Sequence, residues 1–243
     1  VSKALVPIFN FVEHSYTDPI DNFCYTSVTK WLERFKKPFN EESAAKRIAL
    51  REGVQLQTVL DEWRRKRDES KEFGTKIHKL LEIYNLENKI CDEDLLPVLN
   101  NFKKLNLTFD KKMTSFEKLV FNKDIGIAGT SDVIVNNPDS KTFCIYDFKT
   151  NKKLRYSTPF NEFLLPPLNI YPSCEYFIYS LQLSMYAYLY KLMTGLEPLR
   201  LKIFWYSREE PENYKNLHGT WVTINTPYME EEILACLKYE QKT

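Results

Sequence analysis

Histidine is scarce in this chain: three residues in 243, at His14, His78 and His218. A Ser-His-Asp hydrolase would also need a nucleophile elbow, and no G-x-S-x-G is present. The phosphate cradles G-x-x-x-x-G-K-[ST] and G-x-G-x-x-G are missing too, which leaves nucleotide-driven and dinucleotide chemistry without its loop. Cys24, Cys91, Cys144, Cys174 and Cys236 are scattered, with no C-x-x-C pair. An odd, unclustered set points to reduced thiols in an intracellular, reducing compartment, and away from a zinc ribbon or a cysteine-bound iron–sulfur cluster. No apolar run approaches bilayer length, so no membrane association is expected. Residues 1–25 lack the basic start and apolar stretch of a signal peptide. An excess of one charge is also absent: 34 basic and 33 acidic residues leave a net charge of +1, which neither demands nor excludes nucleic acid.

What is present is apolar and aromatic. Hydrophobic residues make up 43% and aromatics 14%, enough for a sizeable core in one large domain. No internal repeat, low-complexity tract or domain boundary stands out. The expectation is a single domain over 1–243, mainly helical over 1–110 and sheet-containing over 111–243. Residues 1–25 show no period. Thr26 to Thr29 read as a capped helix start, ended by Pro38. Residues 40–67 read as helix with a break at Gly53, and Phe73-Gly74 opens another helix reaching Leu86, with Ile77, Leu80, Leu81 and Tyr84 as its buried stripe. A short helix follows over 92–105, then strands at 115–121, 127–135 and 142–148. Residues 151–172 read as a long loop. Residues 176–193 form a helix apolar nearly all round, hence buried on several sides. Strands at 199–206 and 220–224 and a closing helix at 228–238 complete an α/β order.

The stretch from Gly126 to Thr150 concentrates the chemistry. Two apolar strands flank turn residues 136–140. Side chains alternate along a strand, so Phe143, Ile145, Asp147 and Lys149 share a face that begins greasy and ends charged. Asp132 repeats the switch beside Ile134. A four-residue loop, Pro138 to Lys141, would set Asp132 directly across from Asp147, where like charges destabilise a sheet. A divalent cation between them would reverse that cost, since carboxylates and a backbone carbonyl are the hard donors Mg²⁺ prefers.

A charged triplet at a strand end is ordinary surface, and it is the ordered set that speaks. Gly74-x-x-x-His78, Glu117 on the preceding strand, Gly129-Thr130-Ser131-Asp132, Asp147-Phe148-Lys149-Thr150 and Gln182-x-x-x-Tyr186 follow one another. Together they resemble the PD-(D/E)XK nuclease superfamily, and within it the RecB-type branch of phage exonucleases and the mitochondrial genome maintenance exonuclease. Ser27-Val28-Thr29 also fits that branch, and the likeness spans roughly residues 26 to 206. Ser131 replaces the usual proline, Asp147 stands where Glu is common, and the cysteines do not match the iron–sulfur clasp of some relatives.

The resemblance implies a central mixed β-sheet flanked by helices, with the helical N-terminal region roofing the cleft. It implies Asp132, Asp147 and the Phe148 backbone carbonyl as holders of one or two Mg²⁺ or Mn²⁺ ions, with His78 a further ligand and Glu117 a supporting or alternative one. Lys149 would position and help deprotonate the attacking water, and Gln182 and Tyr186 would support Lys149 or contact the scissile strand. The implied activity is hydrolysis of DNA phosphodiester bonds at ends or in single strands. A structure-specific endonuclease and a non-cleaving nucleic-acid-binding module remain as alternatives. Trp63, Arg64, Arg65, Lys152, Lys153, Arg155 and Tyr156 are candidates to stack bases and track phosphates. Replication or recombination proteins are the partners to expect, and a cytoplasmic setting, with a viral or phage origin among the choices.

Overall fold

The computed structural model describes residues 6–10, 15–158 and 161–241, so His14 lies outside the described residues. Its centre is β5 (Ile127–Asn137), eleven residues buried from Ile127 to Ile134 except at Thr130, the pattern of a strand covered on both faces. Antiparallel β4 (Thr114–Asn122) lies along one edge of β5 for nearly its whole length. The other edge is shared. A short parallel strand, β3 (Cys24–Ser27), pairs only with Ile127 and Ala128, and β6 (Thr142–Lys149) pairs antiparallel only from Val133 to Asn137. Between them lies a notch at residues 129–132. The Asn137↔Thr142 pairing makes the connecting loop the four residues Pro138 to Lys141.

Beyond β6 the sheet continues through parallel β7 (Glu197–Arg208) to antiparallel β8 (Gly219–Thr226). Beyond β3 it continues through β2 (Ser15–Thr17) to β1 (Ile8–Asn10). The first 25 residues, irregular by sequence, therefore contribute strands. Segments of three or four residues are too short for a two-residue period to show. The N-terminal region is thus not purely helical.

Helices cover both faces. On one, α1 (Val28–Glu33), α5 (Glu175–Thr194) and α6 (Glu230–Glu240) pack on Ile134, Phe143, Ile145, Leu201 and Ile203. On the other, α3 (Leu56–Glu87) and α4 (Leu96–Lys103) pack on Val133, Phe148, Phe204 and Trp221. The architecture is α/β, a mixed open sheet between helical layers. Ser27 caps α1, which ends at Arg34, ahead of Pro38. In α2 (Glu41–Glu52), Asn40 caps the start, and Gly53 ends it at φ +67°, a left-handed conformation that glycine takes without penalty.

The expected break before Phe73 does not exist: α3 runs unbroken for 32 residues through Gly74. Its first half pairs with α2 around a small separate cluster of Ala45, Ala49 and Val59, while Phe73, Ile77, Leu80 and Leu81 sit in the main core. A helix half on the core and half off it changes its apolar stripe midway, which imitates a boundary in the sequence. A 3₁₀ turn at Glu93–Leu95 precedes α4, with Pro97 in the first turn of α4, where its missing N–H is harmless. Among the described residues no helix is long and apolar enough to cross a membrane.

Candidate metal centre

The notch is where the chemistry gathers. The β5–β6 ladder stops at Val133↔Tyr146, so past that point the Phe148 N–H has no strand partner and instead donates to Asp132 Oδ2 at 2.6 Å. On the opposite edge of β5 the ladder also falters. Phe116 and Lys118 pair with Val133 and Ser131, but Glu117 between them takes φ +46°, a conformation rare for a side chain of this size. The twist brings the Glu117 carboxylate to Asp132. Ligand atoms of His78, Glu117 and Asp132 all lie within 4.8 Å of one another.

His78 comes from the opposite layer. Gly74, one turn earlier on the same face of α3, lets the helix approach the end of β6: a Cβ there would lie 3.2 Å from Thr150 Oγ1. His78 Nε2 sits 3.0 Å from the Phe148 carbonyl oxygen, and Nδ1 lies 3.4 Å from Asp132 Oδ1. Both ring nitrogens face acceptors, an arrangement that suits the doubly protonated imidazolium. Burial opposes that charge, but the Asp132 carboxylate outweighs it and lifts His78 to about 9. Asp132 moves the other way. Burial would raise it, yet His78, Lys149 and the Phe148 N–H together hold it below the usual carboxylate range.

Asp147 is 3% exposed, and burial pushes it up to about 6 against the pull of Lys149. Its Oδ2 lies 2.5 Å from Lys149 Nζ as an ion pair but accepts no well-directed hydrogen bond. Burial disfavours the Lys149 ammonium, and Asp147 more than restores it, so its pKa stands above the ordinary value. Glu117 keeps solvent along its outer side. Even so, desolvation of its carboxylate, and then the Asp132 charge, push it up to about 7. The cluster thus sets three carboxyl groups against two cations, and it is Glu117, pushed up to about 7, that shares a proton near neutrality. Hard oxygen donors from the carboxylates and the Phe148 carbonyl, with one imidazole, match what Mg²⁺ or Mn²⁺ requires.

Gln182 and Tyr186 stand on α5. Gln182 Nε2 donates to the Tyr186 hydroxyl at 2.9 Å, and the Tyr186 ring lies over Gly129 so closely that a Cβ there would be 2.6 Å from Tyr186 Cε1. Neither residue hydrogen-bonds to Lys149 among the described residues. The aromatic against Lys149 is Tyr179, whose ring centroid is 4.7 Å from Lys149 Nζ. The sequence reading missed it, although Tyr179, Gln182 and Tyr186 fall at i, i+3 and i+7 on one helical stripe.

The basic candidates are less free than their sequence suggests. Arg64 pairs with Asp61, Arg65 with Glu69, Lys152 with Glu212 and Arg155 with Glu175. Lys153 is exposed and makes no ion pair among the described residues. Trp63 tilts against Phe39 on the α2–α3 arm, ring centroids 6.3 Å apart. His218 lies in the β7–β8 loop, its carbonyl accepting from the Glu209 N–H.

No protein-family model matches the chain, and no curated protein matches it. Among solved structures, one titled "Crystal structure of SSO0001" is similar over 73% of this chain and 70% of its own, at 18% identity and a TM-score of 0.32.

Proposed function

We propose that the chain is a metal-dependent deoxyribonuclease of the PD-(D/E)XK superfamily, of the RecB-type branch, acting on DNA ends or single strands. One observation carries the reading: His78 from α3, Asp132 from β5, and Asp147 and Lys149 from β6 meet at a single notch in the sheet. Packing alone gives no reason for this. Burying an ion costs several kcal/mol even after relaxation, and apolar residues of similar volume would serve stability as well or better.

Asp132, Asp147, the Phe148 carbonyl and His78 would hold the ion, with Glu117 closing the set. When bound, the ion supplies charge for the phosphoryl oxygens and a lowered pKa for an attacking water. The chain's own groups do the rest. Phe148 N–H fixes one oxygen of Asp132, which leaves the other directed at the cluster. Lys149, paired with Asp147, serves as an electrostatic clamp and donor to the water or phosphate. Gln182 donates to Tyr186, which leaves the tyrosine hydroxyl hydrogen for an oxygen of the scissile strand. The products are a 5′-phosphate and a 3′-hydroxyl.

The test is incubation with end-labelled DNA, single- and double-stranded, linear and covalently closed, with Mg²⁺, Mn²⁺ or chelator. Linear DNA is expected to be degraded with metal and closed circles spared. Equal cutting of closed circles would make the chain an endonuclease. DNA binding without cleavage in either metal would make it a non-catalytic module.

A further inference from the structure

Seven residues beyond Lys149 an aromatic ring stands in solvent and is nevertheless held in place. Tyr156 is 56% exposed, in a loop whose neighbours are mostly polar. Its ring packs against Tyr176, centroids 4.7 Å apart and planes at 36°. Tyr176 is braced in turn by an edge contact with Phe177 at 5.3 Å and by its hydroxyl, which donates to the Asn225 carbonyl at 3.3 Å. The loop is fastened on either side of the ring. Arg155 grips Glu175 through Nε and a terminal nitrogen, at 3.0 and 2.5 Å, and the Tyr176 N–H donates to the Arg155 carbonyl at 3.1 Å. Solvent-exposed tyrosines ordinarily sweep through rotamers, and the ordering of this one is bought with an ion pair, a backbone hydrogen bond and a ring contact.

The platform is continuous with the metal centre. Tyr176 and Tyr179 lie three residues apart on one side of α5, about 4.5 Å along its axis. Tyr179 is the ring against Lys149. An aromatic ring backed by a second ring and open to solvent near a phosphate-handling site is what a nucleobase stacks on, and it accepts every base alike. Lys153, exposed and without an ion pair among the described residues, supplies a cation on the same loop for the adjoining phosphate. Trp63 offers no equivalent: it sits on the separate α2–α3 arm beside Phe39, Glu41 and Arg67, with Arg67 already paired to Glu41.

We infer that Tyr156, braced by Tyr176, is a stacking platform for an unpaired nucleobase of single-stranded DNA next to the scissile phosphate. The inference rests on the nuclease reading for the identity of the strand, but binding tests it separately from cleavage. The probe is a fluorescein-labelled single-stranded oligonucleotide, measured by anisotropy with the whole chain in Ca²⁺ or chelator. A parallel series carries one abasic nucleotide at each successive position. Tyr156→Ala is expected to weaken binding by roughly 5- to 150-fold, the range for loss of one base stack, while Tyr156→Phe and Tyr156→Trp bind as the wild type does. One abasic position should weaken the wild type to a similar degree and have no further effect on Tyr156→Ala. That non-additivity is a signature a merely structural tyrosine would not give. Equal affinity of Tyr156→Ala and wild type, or independent losses from the variant and from every abasic position, would overturn the platform. Neither result depends on turnover. If wild-type protein binds the strand and shows the coupling but cleaves nothing in Mg²⁺ or Mn²⁺, the platform stands and the nuclease reading falls.

Discussion

At the scale of single residues the site is an exercise in placing like charges together. Asp132 and Asp147 are buried on adjacent strands, and each has one cation at hand, His78 for the first and Lys149 for the second. Lys149→Ala removes the clamp without touching a metal ligand. Cleavage should fall about 10²–10³-fold, the loss usual for one preorganised transition-state donor, while metal and DNA binding persist; wild-type turnover would defeat the assignment. Tyr179 is predicted to hold Lys149 in line from its other side. Tyr179→Leu should lower kcat with little change in KM, and Tyr179→Phe, which keeps the π face, should restore it. Equal rates in all three proteins would reduce the ring to packing. Asp132, Asp147 and Lys149 were singled out because they fall in an ordered set with Gly74-x-x-x-His78 and Gln182-x-x-x-Tyr186, and a charged triplet alone would have read as surface. Tyr179 was not, because a tyrosine on a helix apolar nearly all round gives no sign of the cation it meets.

At the scale of elements, two strands and a helix owe their course to particular backbone positions. Alanine in a strand is ordinarily the better residue, by about 0.5–1 kcal/mol over glycine. At Gly129 the sign reverses, because a Cβ would lie 2.6 Å from the Tyr186 ring. Gly129→Ala is expected to cost about 1–3 kcal/mol, the usual penalty of overpacking, as read from urea denaturation; an unchanged midpoint would mean that α5 yields freely. Glu117 carries the opposite expectation. Glycine there relieves a positive φ and removes an acid from a crowded site, so Glu117→Gly should raise the stability of the metal-free protein by about 1 kcal/mol or more. The same change should weaken binding of Mn²⁺, measured by calorimetry, and tighter or unaltered binding would take Glu117 out of the ligand set. The unbroken α3 shows why element boundaries mislead. Its charged first half leaves the core, so the sequence reads as two helices where the hydrogen bonds continue through one.

For the molecule as a whole, the cluster ties stability to pH. The folded pKa values of Asp147 and Glu117, about 6 and 7, stand above the ordinary 3.8 and 4.5, so the folded state binds more protons than the unfolded one between about pH 4 and 7. Stability contributed by those protons is lost as pH rises through that window. His78, lifted from 6.5 to about 9, adds stability fully present below 6.5 and lost as pH rises through 9. All three groups act in one direction. The Tm of chelated protein should fall between pH 5 and 8 by at least about 2–4 °C, which is what 1 kcal/mol amounts to at this size. Added Mn²⁺ must displace those protons, so it should raise Tm more at pH 8 than at pH 5. Equal shifts at the two pH values would separate metal binding from this cluster. The sequence by itself determined the α/β order, two strands joined by a turn, and the acids and amine along them, because period, turn chemistry and alternation are local properties; the four-residue loop is an assumption that the Asn137↔Thr142 pairing makes definite. Only the tertiary structure decided that β3 and β6 share one edge of β5 and leave a notch between them, that His78 enters it from the far layer, and that most of the candidate basic residues are ion-paired. Those outcomes depend on which strand edge each distant segment reaches, and no local pattern records that.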